Sequence, residues 1–202
     1  MRTAPHLRED GRDPERVPEN WTELIDPTEW RLNDEGLPAR RAARVLALRE
    51  SPDPEILLVV GHDFGDNGHS WAFTPGGGIL EGEAPRRAAL RELAEETGIV
   101  LHEKDLVGPV LRRSSRFSFH LVTCRQDEEF FLARPGPTGP IDRGGWTELE
   151  KEVLDSLRWW GLDELDAAVV EGMTVYPRIL PRLARELLTG WDGRVRVLVE
   201  DD

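Results

Sequence analysis

A single cysteine, Cys124, stands in 202 residues, so no disulfide can close within the chain. Its place in an apolar, strand-like run predicts a buried, inert thiol rather than a nucleophile. No stretch reaches the roughly 18 apolar residues of a membrane-crossing helix, which excludes a helical membrane span. The first residues lack the apolar centre of a secretory leader and are too acidic for a transit peptide. A reducing cytoplasm is the expected setting. Positive charge is also short: the net charge is −13. That balance argues against binding along the phosphate backbone of duplex DNA or RNA. It leaves room for a small phosphorylated ligand carried in with metal ions. No segment repeats.

The informative stretch runs from Gly77 to Ile99 and reads GGILEGEAPRRAALRELAEETGI. Before it, Thr74-Pro75-Gly76-Gly77-Gly78 forms a turn whose glycines permit positive φ and close backbone approach to a ligand. A helix is expected from Pro85, since proline suits the first helical turn. Ala84 before it is a poor cap where Ser or Thr is preferred. Gly98 is a favoured residue for ending the helix. Wound at about 100° per residue, Glu92, Glu95 and Glu96 share one side of this helix, and Leu90, Leu93, Ala94 and Thr97 the other. Ala88 is expected on the carboxylate side, leaving room for a substrate. Hard oxygen ligands beside a glycine turn suit Mg²⁺ or Mn²⁺. The plain alternative is a solvated acidic helix face with Arg87 and Arg91 as ion-pair partners.

Nine positions of this stretch carry a recognisable spacing: Gly77, Glu83, Arg91, Glu92, Leu93, Glu95, Glu96, Gly98 and Ile99. At ordinary residue usage, all nine would coincide by chance with a probability on the order of one in ten million or less. The pattern resembles the Nudix box, the signature of the Nudix hydrolases (MutT-like pyrophosphohydrolases). The resemblance implies an α/β fold, a Nudix-type α/β/α sandwich with a mixed β-sheet between helices. It also implies an enzyme that cleaves a pyrophosphate bond in a nucleoside diphosphate linked to another moiety, by water attack on phosphorus. Carried over by position, Glu92, Glu95 and Glu96 are the metal ligands, with a carbonyl of Gly76 or Gly77 as a further one. Arg91 orients a glutamate, Glu83 supports the junction of loop and helix, and Gly77 and Gly78 line the substrate. Some relatives take a proton with a glutamate from a late loop; here Glu148 and Glu150 are the candidates.

The rest of the chain divides into a polar arm (1–38), a domain (39–189) and a tail (190–202). In the arm, Trp21, Leu24 and Ile25 can form one apolar helical turn that docks, while residues 1–18 are expected to stay unstructured. Arg40–Arg49 and Glu55–Gly61 read as strands buried on two faces. Asp63–Ser70 reads as a loop, and Trp71–Phe73 as a short strand into the glycine turn. Gly108–Arg116, Phe117–Arg125 and Phe130–Ala133 are strand candidates. Arg112, Arg113 and Arg116 form the densest basic patch, read either as substrate-phosphate contacts or as edge-strand charge. Pro135–Gly145 is a long Pro/Gly loop of the kind that often serves binding. Leu157–Gly161 reads as a last core strand, Leu162–Glu171 and Arg178–Leu188 as helices, and Arg194–Glu200 as an edge strand open to a homodimer contact.

Two rival readings remain. A catalytically inactive Nudix-like nucleotide-binding or regulatory domain would be expected to lack some box carboxylates, and none is missing. An isomerase of the isopentenyl diphosphate type would need a cysteine and a glutamate placed for allylic proton transfer, and Cys124 is the only thiol. The moiety attached to the nucleotide is not marked by any residue after Ile99.

Overall fold

The computed structural model of the chain describes residues 7–50, 53–63, 66–119, 121–136 and 154–201. Its organising element is strand β2 (Pro38–Arg49). Val45, Leu46, Ala47 and Leu48 in this strand are all fully buried, so the sheet must be covered on both faces. One edge of β2 pairs in parallel with β7 (Val122–Ala133), from Ala39↔Arg125 to Ala47↔Ala133. The other edge is shared by three short partners. These are β1 (Arg31–Leu32), β5 (Gly76–Gly78) and the start of β3 (Glu55–Asp63), all antiparallel.

On one flank, β6 (Leu106–Phe119) lies antiparallel to β7, and β10 (Arg196–Asp201) runs parallel to β6. On the other, β3 carries β4 (Asp66–Phe73) and β8 (Leu154–Gly161), both antiparallel, and β9 (Thr174–Tyr176) is parallel to β4. Among the described residues the order is β10-β6-β7-β2-β3-β4-β9, the mixed sheet of the α/β expectation.

Helix α2 (Pro85–Thr97) follows a short N-terminal helix α1 (Trp21–Leu24) and covers one face of the sheet. Its Ala88, Ala89 and Leu93 pack with Ala43, Val45, Leu57 and Val59. Helices α3 (Leu162–Val170) and α4 (Leu180–Leu188) cover the other face, where Leu165, Leu183 and Leu187 pack with Leu46, Leu58 and Phe130. Helix α2 starts with Pro85 in its first turn and has no side-chain cap at Ala84. It ends at Gly98, whose φ of 72° lets its N–H reach Ala94 O.

Several expected boundaries shift. The β3–β4 hairpin extends over most of the stretch read as a loop, because backbone pairing needs no particular side chain. The break expected near Phe117 falls instead after Phe119, where β6 ends. Trp30 packs against Phe117 and Phe119, at ring distances of 6.2 Å, and keeps both residues in the strand.

The arm is held from residue 7 onward. Val17, Trp21, Ile25, Trp30 and Leu37 form a third cluster with Val122 and Cys124, and Arg16 O accepts the Thr123 N–H at 3.1 Å. These five apolar side chains of the segment therefore find cover, each contributing about 1.5–3 kcal/mol as an upper estimate, while Leu7 stays exposed. That outcome differs from an unstructured 1–18, although residues 1–6 lie outside the described residues. Cys124 is fully buried, and burial pushes its thiol up to about 12, in keeping with an inert side chain. Among the described residues no helix is long and apolar enough to cross a membrane.

Candidate active site

The site is assembled where α2 meets the glycine turn. β5 is pinned to β2 by the pairs Ala42↔Gly78, Ala43↔Gly77 and Arg44↔Gly76. Only glycine fits at 76. Its φ is 142°, and a Cβ there would stand 2.3 Å from Ala43 O. A Cβ at 77 would stand 2.6 Å from Glu92 Oε2, so the Glu92 carboxylate fills the space a side chain would need. The Gly76 N–H donates to Glu96 Oε2 at 2.8 Å. Glu92 and Glu96, one helical turn apart, therefore both close on the same turn, while Glu95 is 55% exposed beside them.

Arg91 knits the cluster. Its Nε and Nη2 donate to the two oxygens of Glu83, at 3.0 and 2.9 Å. Nη2 also donates to Gly78 O at 2.9 Å, and Nη1 donates to Glu92 at 2.7 Å and Glu95 at 3.2 Å. Glu83 in turn accepts the Leu80 N–H at 3.0 Å. One guanidinium thus makes five hydrogen bonds, to three carboxylates and one carbonyl, and among the described residues the cluster keeps an acidic excess. The bond to Arg91 holds the Glu83 carboxyl below its ordinary value. Glu92 goes the other way: burial pushes it up, Glu95 adds to that, and Arg91 and Arg40 only partly oppose.

The donors suit a hard divalent cation by chemistry, being carboxylate and carbonyl oxygens around a turn whose cradle a Cβ would fill. Thr74 is fully buried at the entry to this turn, and its hydroxyl has no hydrogen-bond partner among the described residues. In this arrangement, however, no three His, Cys, Asp or Glu side chains converge among the described residues. Arg91 draws Glu92 and Glu95 to itself, and Glu96 is committed to the Gly76 N–H.

Other expected residues fall elsewhere. Ala88 is fully buried against the sheet rather than on an open carboxylate face, because the packed side of α2 extends around to it. Arg112, Arg113 and Arg116 do not form one patch, since neighbouring residues of a strand point to opposite faces. Arg112 is exposed and lies 3.5 Å from Glu129. With Arg41 and Glu129 it lines a hollow of about 230 Å³ that contains no box carboxylate. Arg116 pairs with Asp201 at 2.7 Å. Arg113 is buried between Glu128 and Glu200, at 2.7 Å from each. Glu148 and Glu150, and the Pro135–Gly145 loop beyond Gly136, lie outside the described residues.

Sequence reasoning passed over a second group of polar residues under the turn. Arg44 donates to Glu128, and its Nη1 donates to Thr74 O and Gly76 O, both at 3.1 Å. Gln126 joins Glu128 to Arg40, donating to the first at 2.8 Å and accepting from the second at 2.7 Å. Arg40 also pairs with Glu29 at 2.7 Å and lies 4.3 Å from the Trp30 ring centre. A signal was present: Arg40 and Arg44 are spaced evenly on one strand face, as are Gln126 and Glu128. Burial alone would raise the Glu128 carboxyl, but Arg44 and Arg113 outweigh it and hold it low.

Known proteins share the family and the fold. The NUDIX domain family model matches residues 38–183. An RNA pyrophosphohydrolase of Bartonella bacilliformis is 28% identical over 144 residues, covering 60% of this chain and 83% of that protein. Among solved structures, a MutT protein from Bacillus halodurans matches with a TM-score of 0.50 and 20% identity, over 79% of this chain and 86% of its own. A NUDIX hydrolase from Nitrosomonas europaea matches with a TM-score of 0.50 and 20% identity, over 78% and 93%. At these identities the structural matches speak for the fold alone.

Proposed function

The chain belongs to the Nudix family and is a hydrolase of pyrophosphate bonds, and from that premise we propose that it uses Mg²⁺ or Mn²⁺ to cleave a small nucleoside diphosphate derivative. The observation that carries the reading is the joint approach of Glu92 and Glu96 to the glycine turn, with Glu95 alongside. These three carboxylates, with the carbonyl of Gly76 or Gly77, would hold the cation. When bound, it supplies charge neutralisation of the diphosphate and a more acidic water.

The chain's own residues do the rest. Arg91 orients Glu92 and Glu95, and through Glu83 and Gly78 O it fixes the exit of the turn. A glutamate takes the proton as water attacks phosphorus. Glu92 or Glu96 is the candidate among the described carboxylates. Glu148 and Glu150 are the candidates from the late loop.

The test is a substrate panel of nucleotide sugars, ADP-ribose, dinucleoside polyphosphates and dNTPs, with and without Mg²⁺ or Mn²⁺. Phosphate release would be read before and after added phosphatase. A short RNA with a 5′ triphosphate belongs in the panel, since that end carries the only pyrophosphate linkages of an RNA. Metal-dependent turnover of one class is the expected outcome. Tight binding of one class without turnover of any would replace the reading by an inactive nucleotide-binding domain.

A further inference from the structure

Two segments outside the family-matched residues 38–183 reach into the polar group beneath the glycine turn. From the arm comes Glu29, bonded to Arg40 at 2.7 Å. From the C-terminal strand β10 comes Glu200, bonded to Arg113 at 2.7 Å. Between them the contacts are continuous: Glu29 to Arg40, Arg40 to Gln126, Gln126 to Glu128, and Glu128 to both Arg44 and Arg113. Arg113 then meets Glu200.

The chain of contacts touches the turn twice. Arg44 donates to Gly76 O, and the Gly76 N–H is the one held by Glu96. At the other end, a Cβ on Gly78 would stand 3.6 Å from Glu29 Oε2 and 3.8 Å from Arg40 Nη1. Among the described residues, these contacts set Arg40, Arg44 and Arg113 against Glu29, Glu128 and Glu200. The middle is out of solvent, with Glu128 at 1% and Arg113 at 5% side-chain exposure. In such surroundings an unmatched charge is poorly tolerated, and the remaining partners rearrange around the loss.

We propose that Glu29 and Glu200 are positioning residues for the active site, acting through Arg40 and Arg113 to hold the glycine turn against Glu96. Neither carboxylate touches the turn's reacting groups. Each fixes one arginine in the run of contacts that ends on Gly76 or beside Gly78, and without it that arginine loses a bond that orients it. The arm and the tail are therefore working parts of the site. The effect on hydrolysis rests on the function proposed above, but the effect on the turn does not.

The test is amide hydrogen exchange, followed by NMR on the metal-free full chain. In Glu200→Gln the Gly76 amide is expected to exchange about tenfold faster, while the Leu93 amide in the middle of α2 keeps its rate. The double variant Glu200→Gln/Arg113→Gln removes one charge of each sign and should bring Gly76 back to within about twofold of the parent. An unchanged Gly76 amide, or an equal change at Gly76 and Leu93, overturns the proposal. Should Glu200→Gln not fold, Glu29→Gln carries the test, because Glu29 is 49% exposed. Its Gly78 amide is expected to shift, and an unmoved Gly78 resonance overturns the proposal. A responsive Gly76 in a protein that hydrolyses nothing would reject the proposed function and leave this inference standing.

Discussion

Two clusters built from Arg and Glu lie on either side of the glycine turn, and they are organised in opposite ways. The α2 cluster gathers Glu83, Glu92 and Glu95 around one Arg91, with Glu96 beside them on the Gly76 N–H, and leaves Glu95 more than half exposed. The sheet cluster matches Arg40, Arg44 and Arg113 against Glu29, Glu128 and Glu200, with its centre sealed from water. An acidic excess at the surface is a place that wants a cation. A balanced, buried group wants nothing further and supplies rigidity. Residue type alone does not separate the two roles; burial and charge count do.

The sharpest way to break this contrast is to remove the centre of the balanced cluster. Glu128→Ala leaves Arg44 and Arg113 facing each other without an anion, and should destabilise the fold by about 3–5 kcal/mol in urea unfolding. A loss under about 1 kcal/mol would mean that water reaches this cluster after all. Next comes Glu96→Gln in the acidic cluster. Here kcat should fall by about 10²–10³ while the unfolding midpoint hardly moves. Unchanged turnover would remove Glu96 from the site.

A smaller effect separates neighbouring arginines of one strand. Arg112→Ala, which loses only an exposed contact at 3.5 Å to Glu129, should change stability by less than about 0.5 kcal/mol. Arg113→Ala, which loses the buried bond to Glu128 and the half-buried one to Glu200, should cost several times more. Equal losses would contradict the burial assigned to Arg113.

The finest test is titration of carboxyl carbons by NMR in the metal-free protein. Glu92 should titrate above the ordinary glutamate value, and Glu83 and Glu128 below it. The signs carry over to stability. A carboxyl held low, like Glu128, contributes stability above its unfolded value that is lost as pH falls through the folded one. The cost of ionising Glu92 is instead relieved as pH falls through its raised value.

The acidic cluster was largely legible in the sequence because it is local. Glycine, arginine and glutamates sit at fixed offsets on a turn and one helix, where winding alone brings Glu92 and Glu96 together. The two-faced burial of Val45–Leu48 and Ile56–Val59 was legible for the same reason, as an unbroken apolar run. The balanced cluster was not. Its contacts join residues 84 to 87 positions apart, Arg44 to Glu128, Arg40 to Gln126 and Arg113 to Glu200. They depend on the parallel registers of β2 with β7 and of β6 with β10, which no single stretch encodes. The β3–β4 hairpin was missed because its Gly, Asp and Asn residues favour turns, and β9 because three residues carry too little pattern.

The parallel pairing of β2 with β7 also bears on how the molecule comes to be active. The chain must close a loop of more than eighty residues before Arg44 finds Glu128. Such closures are entropically costly and slow, on the order of milliseconds to seconds for sheet topologies of this kind. The box helix can wind early and alone, but the turn it needs is pinned only once the sheet is complete. A peptide spanning Gly77–Ile99 would therefore carry every signature residue and no site. Competence for chemistry should arise as a late, cooperative step of folding, with no partly active intermediate before it.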